Sequence, residues 1–193
     1  MTTISKISVE EYLAQEAVAL YKSEYHAGEI IAMAGARLAH NQMVSNLIGE
    51  LHYCLKNKNC SVLPSDILVQ LLECDKFVYP DITIVCGKVE LGERRFGVDV
   101  LLNPTVIIEV LSESTELYDR SDKFRCYKTL PSVQQYVLVD SNKISVDSYE
   151  RTPDNFWLLK SEEDEEKEIR IGDCNILLKD IYRKVGFETP HKK

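Results

Sequence analysis

Asp81 in VYPDITIV (78–85) and Glu109 in TVIIEVLSEST (105–115) are single carboxylates set in runs of strand-forming apolar residues. An ionised carboxylate among aliphatic neighbours must find a compensating partner or take up a proton. If the two strands are neighbours, both acids converge on one point and repel each other. A divalent cation relieves such repulsion. Magnesium favours oxygen ligands and is typically held by one or two carboxylates, with waters and a substrate phosphate completing its shell. Each acid alone also has a plainer explanation. Asp81 follows Pro80, where a carboxylate often caps a turn, and Glu109 could pair with Arg94, Arg95 or Arg120.

The elements that must position these groups follow from the hydrophobic period. Ser8 with Glu11 fits a capping box, so a short helix is expected over 9–17. YKSEYHAGEIIAMAG reads as a hairpin about Ala27-Gly28. Val44, Leu47, Ile48, Leu51 and Leu55 form one stripe of an amphipathic helix from His40 to Asn57. His40 falls on that stripe at its first turn, where a core or capping histidine is the common case. Strands follow at 61–72 (broken near Pro64), 78–86, 105–111 and 134–140, with a helical period returning near 120–130. KISVDSYER, NFWLLK and IRIGD look like a β-meander. NILLKDIYRKVGF closes with a short helix, for which Gly186 is the expected C-cap. Apolar strands alternating with helices predict a mixed α+β fold: a central mixed sheet flanked by helices, with an N-terminal hairpin and a C-terminal meander. The length suits one domain, 1–193, with a disordered tail at about 187–193.

The ordered blocks SEYHAGEIIAMAG, His40-Asn41, PSDILV, YPDITIVC, IIEVLSEST and YDRSDKFRCY, together with the final short helix, carry a resemblance over most of the chain. It resembles the Uma-type family of bacterial restriction endonucleases, within the PD-(D/E)XK nuclease superfamily. The dipeptide Pro80-Asp81 is common and weak by itself, whereas the ordered set of blocks is specific. The resemblance implies a restriction endonuclease-like core and Mg²⁺-dependent hydrolysis of DNA phosphodiester bonds, with Mn²⁺ as an alternative ion and 5′-phosphate products. Asp81, Glu109 and the carbonyl of Val110 would be the metal ligands. Glu24 matches an acid of the first block, at the rim of the same site or simply exposed on the hairpin. Asp66 matches another block, as a ligand or a turn former. Glu50 could be the helix-borne acid of some relatives.

One position departs from the superfamily pattern. Leu111 stands two residues after Glu109, where the motif has lysine. At about 100° per residue, Phe124, Tyr127 and Leu130 mark the inward side of a helix over 121–130, and Lys123 lies within that stripe. Lys123 is therefore the expected catalytic lysine, the alternative being a lysine that snorkels from the stripe's edge. If the lysine is lost instead, the chain is an inactive nuclease-fold module that binds nucleic acid or a protein.

Composition excludes little. The net charge is −8, of which the run SEEDEEKE at 161–168 supplies −5, read as a solvated loop. Basic residues gather at 88–95 and 120–128, where they could contact DNA phosphates if they line a cleft. No apolar run approaches the roughly 20 residues that cross a bilayer, and the start shows no secretory pattern. Six cysteines without a CxxC argue against a zinc site and suggest reduced, buried thiols in a cytoplasmic protein. A homodimer is expected by analogy with enzymes that cut both strands.

Overall fold

The computed structural model describes residues 6–187. The tail expected at 187–193 lies, apart from Phe187, outside the described residues. Two mixed sheets with helices around them make a mixed α+β fold. The larger sheet contains β3 (Cys60–Pro64), β6 (Ile82–Cys86), β8 (Val106–Leu111), β9 (Gln135–Asp140), β10 (Val146–Arg151) and β11 (Trp157–Glu162), in the order β11-β10-β9-β8-β6-β3. Within it β8 and β9 run parallel and every other neighbouring pair is antiparallel. The smaller sheet contains β1 (Ser23–His26), β2 (Glu29–Ala32), β4 (Leu68–Leu71), β5 (Lys76–Val78) and β7 (Val100–Leu101), in the order β2-β1-β5-β4-β7.

The run 78–86, expected as one strand, is therefore two strands in two sheets. Val78 ends β5 and Ile82 begins β6. Pro80 sits between them, and a residue without an N–H cannot continue a ladder. The same happens at Pro64, where β3 of the larger sheet hands over to β4 of the smaller one. The chain thus crosses between the sheets at 65–67 and again at 79–81, and Asp81 belongs to the second crossing.

Alternation along β8 divides the core. Val106, Ile108 and Val110 face the stripe Met43, Leu47, Leu51 and Leu55 of α2 (Leu38–Leu55), together with the hairpin β12 (Glu168–Ile171)–β13 (Cys174–Leu177) and α5 (Leu178–Ile181). Ile107 and Leu111 face the other way, toward Val69, Leu71 and Val78 of the smaller sheet and Phe124 and Tyr127. Glu109 shares that second face. A third cluster packs Tyr12 and Leu13 of α1 (Val9–Glu16) on Tyr25 and Phe77, beneath the hairpin. The Ser8–Glu11 capping box is formed as the sequence suggests. At the hairpin turn Gly28 has φ +98°, and a Cβ there would lie 2.6 Å from Lys6 Cβ.

Three expectations need correction. The helix assigned to 121–130 begins earlier and is broken: α3 (Glu116–Tyr118), a π turn (Asp119–Lys123) and α4 (Phe124–Tyr127). The expected cap Gly186 plays no such part, because α5 ends at Ile181 and the left-handed residue beyond it is Lys184. All six cysteines are paired, as Cys54–Cys174, Cys60–Cys86 and Cys74–Cys126. Cys60 and Cys86 are opposite residues of the β3–β6 ladder, and the other two pairs join elements far apart in sequence. Local spacing such as CxxC carries no information about pairs of this kind. The pairing also removes the free-thiol argument for a reducing compartment. Among the described residues no helix is long and apolar enough to cross a membrane.

Candidate active site

Both sheet crossings open into one cleft of about 1240 Å³, lined by Ser65, Tyr79 and Asp81, by the start of α2, and by the C-terminal end of β8. Ile82 pairs with Ile108 in the antiparallel β6–β8 register, so one step further along Asp81 stands opposite Glu109. The Asp81 amide donates to Glu109 Oε2 at 3.4 Å, and the Val110 amide donates to Asp81 Oδ2 at 2.7 Å. His40, in the first turn of α2, places Nε2 3.1 Å from Asp81 Oδ1 and also hydrogen-bonds the Val110 backbone. Burial alone would lower the His40 pKa, but Asp81, the Val110 backbone and Asp119 together outweigh it and the net shift is upward.

Glu109 lies 3 % exposed at the floor of the cleft. Lys123 Nζ sits 2.8 Å from its Oε1, and the Tyr127 hydroxyl donates to the same oxygen at 3.1 Å. Leu111, on the same face two residues on, fills the place of the motif's lysine with core. The ammonium arrives instead from the π turn. Asp119 and Lys123 are four apart in that turn, and both are buried, with Lys123 Nζ 3.6 Å from Asp119 Oδ1 and 3.6 Å from Glu24 Oε1. Burial would strip the proton from Lys123, yet Glu109, Glu24 and Asp119 hold its pKa well above the ordinary value. Burial pushes Glu109 up, with Asp119 and Asp81 adding to the shift against Lys123. Asp119 is raised for the same first reason.

Glu24 is not at the rim; it is a wall of the site, 7 % exposed. It accepts from the Tyr79 amide at 3.1 Å, and His26 Nε2 is 3.0 Å from its other oxygen. Burial would raise it, but Lys123, His26 and the Tyr79 amide together leave it lowered. The Tyr118 hydroxyl stands 3.3 Å from His26, and burial pushes that phenol far up. Four carboxylates thus face one lysine and two histidines.

Other candidates lie elsewhere. Asp66 is exposed and paired with Lys22 at 2.9 Å, and Glu50 is 3.4 Å from Arg183. Arg94 pairs with Asp99, Arg95 with Glu93, and Arg120 with Glu116 and Asp147, so none of them serves Asp81 or Glu109. Of the two basic segments, Lys123 alone reaches the cleft. Asp119, Tyr127, His26 and Tyr118 are the site residues that sequence reasoning passed over. Asp119 had one signal, its position four residues before Lys123 on a helical segment. Tyr127 was read only as part of the apolar stripe.

Among the described residues no set of three or more His, Cys, Asp or Glu side chains is arranged to hold a metal ion. A cation here would rest on the Asp81 and Glu109 oxygens, and the rest of its shell would come from water and substrate. Two carboxylates completed by water are the kind of all-oxygen donor set that Mg²⁺ takes.

The fold is a mixed α+β one with an acidic cleft at the sheet crossings. The chain matches the family model Uma2, described as "Putative restriction endonuclease", over residues 9–174, and it belongs to that family. It is 32% identical over 172 residues to the protein of Synechocystis sp. entitled "Uncharacterized protein sll1609", covering 89% of this chain and 96% of that one. It is 31% identical over 183 residues to slr1290 of the same organism, likewise titled uncharacterized, covering 94% of each. Among solved structures it resembles a protein of Anabaena variabilis described as "a putative nuclease belonging to DUF820", with a TM-score of 0.67 and 17% identity over 85% of this chain and 91% of that one. At that identity the likeness speaks to the fold.

Proposed function

We propose that this protein is a metal-dependent endonuclease that hydrolyses DNA phosphodiester bonds, with Asp81 and Glu109 as ligands of Mg²⁺ (or Mn²⁺) and Lys123 as the catalytic lysine. The observation that carries the reading is Lys123 Nζ at 2.8 Å from a Glu109 that faces Asp81 across adjacent strands. When bound, the ion would polarise the scissile phosphate and lower the pKa of a water. Asp81 is aimed at the cleft by two restraints, the Val110 amide on one oxygen and His40 on the other. The Val110 carbonyl belongs to the same proposed ligand set. Lys123, kept protonated by its carboxylates, is placed to orient the attacking water or to offset charge growing on the phosphate. Glu24 holds the second flank of that ammonium. A homodimer goes with this reading, whereas the three disulfides count against the reducing cytoplasm expected from the sequence.

A second reading is a catalytically inactive module that retains the fold to bind nucleic acid or a protein. It is favoured by the closed Lys123–Glu109–Tyr127 contact, in which Glu109 Oε1 already has two donors. Calorimetric titration with Mn²⁺ separates the two. The nuclease reading expects binding that Asp81→Ala abolishes, together with Mg²⁺-dependent DNA cleavage that Asp81→Ala, Glu109→Ala and Lys123→Ala each lose. No binding and no cleavage by the wild type would leave the module.

A further inference from the structure

Three features of the cleft concern the form of DNA it accepts. Its floor is closed: Glu109 and Lys123 are 3 % and 5 % exposed, so a phosphate must descend to reach them. Its charge opposes any DNA, and opposes a duplex, with about one charge per 1.7 Å of axis, more than a single strand of half that density. Among the described lining residues the bases are Lys22, Arg37, Lys123 and Lys184, against the four carboxylates already described and Glu113. Lys22 already donates to Ser65 and Asp66, and Lys123 to Glu109. The remaining basic segments lie off the cleft, with Arg94, Arg95, Arg120 and Arg125 each paired to an acid. Duplex binding depends on many Lys and Arg contacts to phosphates along both strands. Its third feature is apolar. Leu20, Tyr21 and Leu38 line the cleft while 92 %, 83 % and 83 % exposed. A duplex keeps its base faces stacked inside and has nothing to lay on such side chains. An unpaired strand exposes a flat face at every nucleotide, and aromatic side chains bind those faces without regard to sequence.

We propose that the substrate is an unpaired DNA strand, whose bases rest on Tyr21, Leu20 and Leu38 while its phosphate reaches Lys123 and the carboxylates below. The inference rests on the nuclease reading for the phosphate's destination, but its binding half stands alone. Anisotropy of a fluorescein-labelled strand can be measured in EDTA, where nothing is cut. Three probes are compared: the single strand, its duplex, and the same strand with every nucleotide abasic. The expected order is single strand tightest, with Tyr21→Ala weakening it at least about five-fold, as loss of one stacked base would. Tyr21→Phe retains the affinity, and the abasic strand binds the wild type and Tyr21→Ala equally. Because Tyr21 is exposed, thermal melting of the variants should match the wild type. Duplex binding as tight as the single strand, or Tyr21→Ala binding like the wild type, overturns the proposal. Preference for the single strand without cleavage in Mg²⁺ or Mn²⁺ supports it and sinks the nuclease reading alone.

Discussion

Asp81 and Glu109 are brought face to face by a change of sheet. The Asp81 amide reaches Glu109 Oε2 at 3.4 Å because Pro80 ends the run that began in β5 and lets β6 start at Ile82, in register with Ile108. Had 78–86 been one continuous strand, Asp81 would sit mid-ladder with its flanking backbone consumed by pairing. At the crossing its side chain is instead gripped by the Val110 amide and His40. The charge problem posed by two inward acids is answered by a lysine from a third element and by burial that favours protonation of Glu109.

Lys123→Met should cost both stability and activity. Removing one partner of a buried ion pair leaves uncompensated charge, on the order of 3–5 kcal/mol, and here Glu109, Glu24 and Asp119 all lose their cation. Cleavage should fall roughly 100- to 1000-fold, as for loss of a donor to transition-state charge. Combining it with Glu109→Gln should restore much of the lost stability while cleavage stays abolished. Urea unfolding of both variants checks this: a double variant no more stable than Lys123→Met would mean that the lysine is held by packing alone.

Asp119→Asn tests the surplus of negative charge through pH. Burial raises the Asp119 pKa above its usual 3.8, so the folded state holds that proton more tightly than the unfolded chain does. The stability this contributes is full below about pH 3.8 and is lost as pH rises through the folded value. The amide has no such loss. Wild type and Asp119→Asn should therefore melt together in acid and diverge toward neutrality, the variant becoming the more stable of the two. Curves that stay parallel from acid to neutral pH would show that Asp119 carries no penalty in the fold.

Much of this architecture can be read from residue patterns, for reasons tied to particular positions. Alternation along 106–111 puts Glu109 on the face of Ile107 and Leu111, and the helical stripe turns Lys123 inward; both are local periodicities that the structure reproduces. The N-terminal helix, the hairpin about Ala27-Gly28 and α2 likewise declare themselves through capping, turn residues and stripe. What local pattern does not encode is which surfaces meet. Glu24 looks exposed on a four-residue strand until β5 pairs beside it and Tyr79 donates to it. His40 looks like a core residue until the crossing at Asp81 is laid against α2. Asp119 joins Lys123 through a π turn, whose wider winding a uniform 100° step does not describe.

The three disulfides give the last test, because their pairing was the largest departure from what spacing implied. Cys54–Cys174 closes a loop of 120 residues, Cys74–Cys126 one of 52 and Cys60–Cys86 one of 26. In the chain-entropy model these constrain the unfolded chain by about 5, 4 and 3.5 kcal/mol respectively, before any loss to strain or residual structure. Protein purified without reductant and then unfolded should titrate no free thiol, and added dithiothreitol should lower its melting temperature. Paired serine replacements should rank in the same order, with Cys54→Ser/Cys174→Ser the most damaging. Cys74→Ser/Cys126→Ser should in addition impair catalysis, since Cys126 lies three residues beyond Lys123 and next to Tyr127 on α4, the helix this bridge ties to the turn before β5. Six titratable thiols in the protein unfolded without reductant, with a melting temperature indifferent to dithiothreitol, would return the cysteines to ordinary buried side chains.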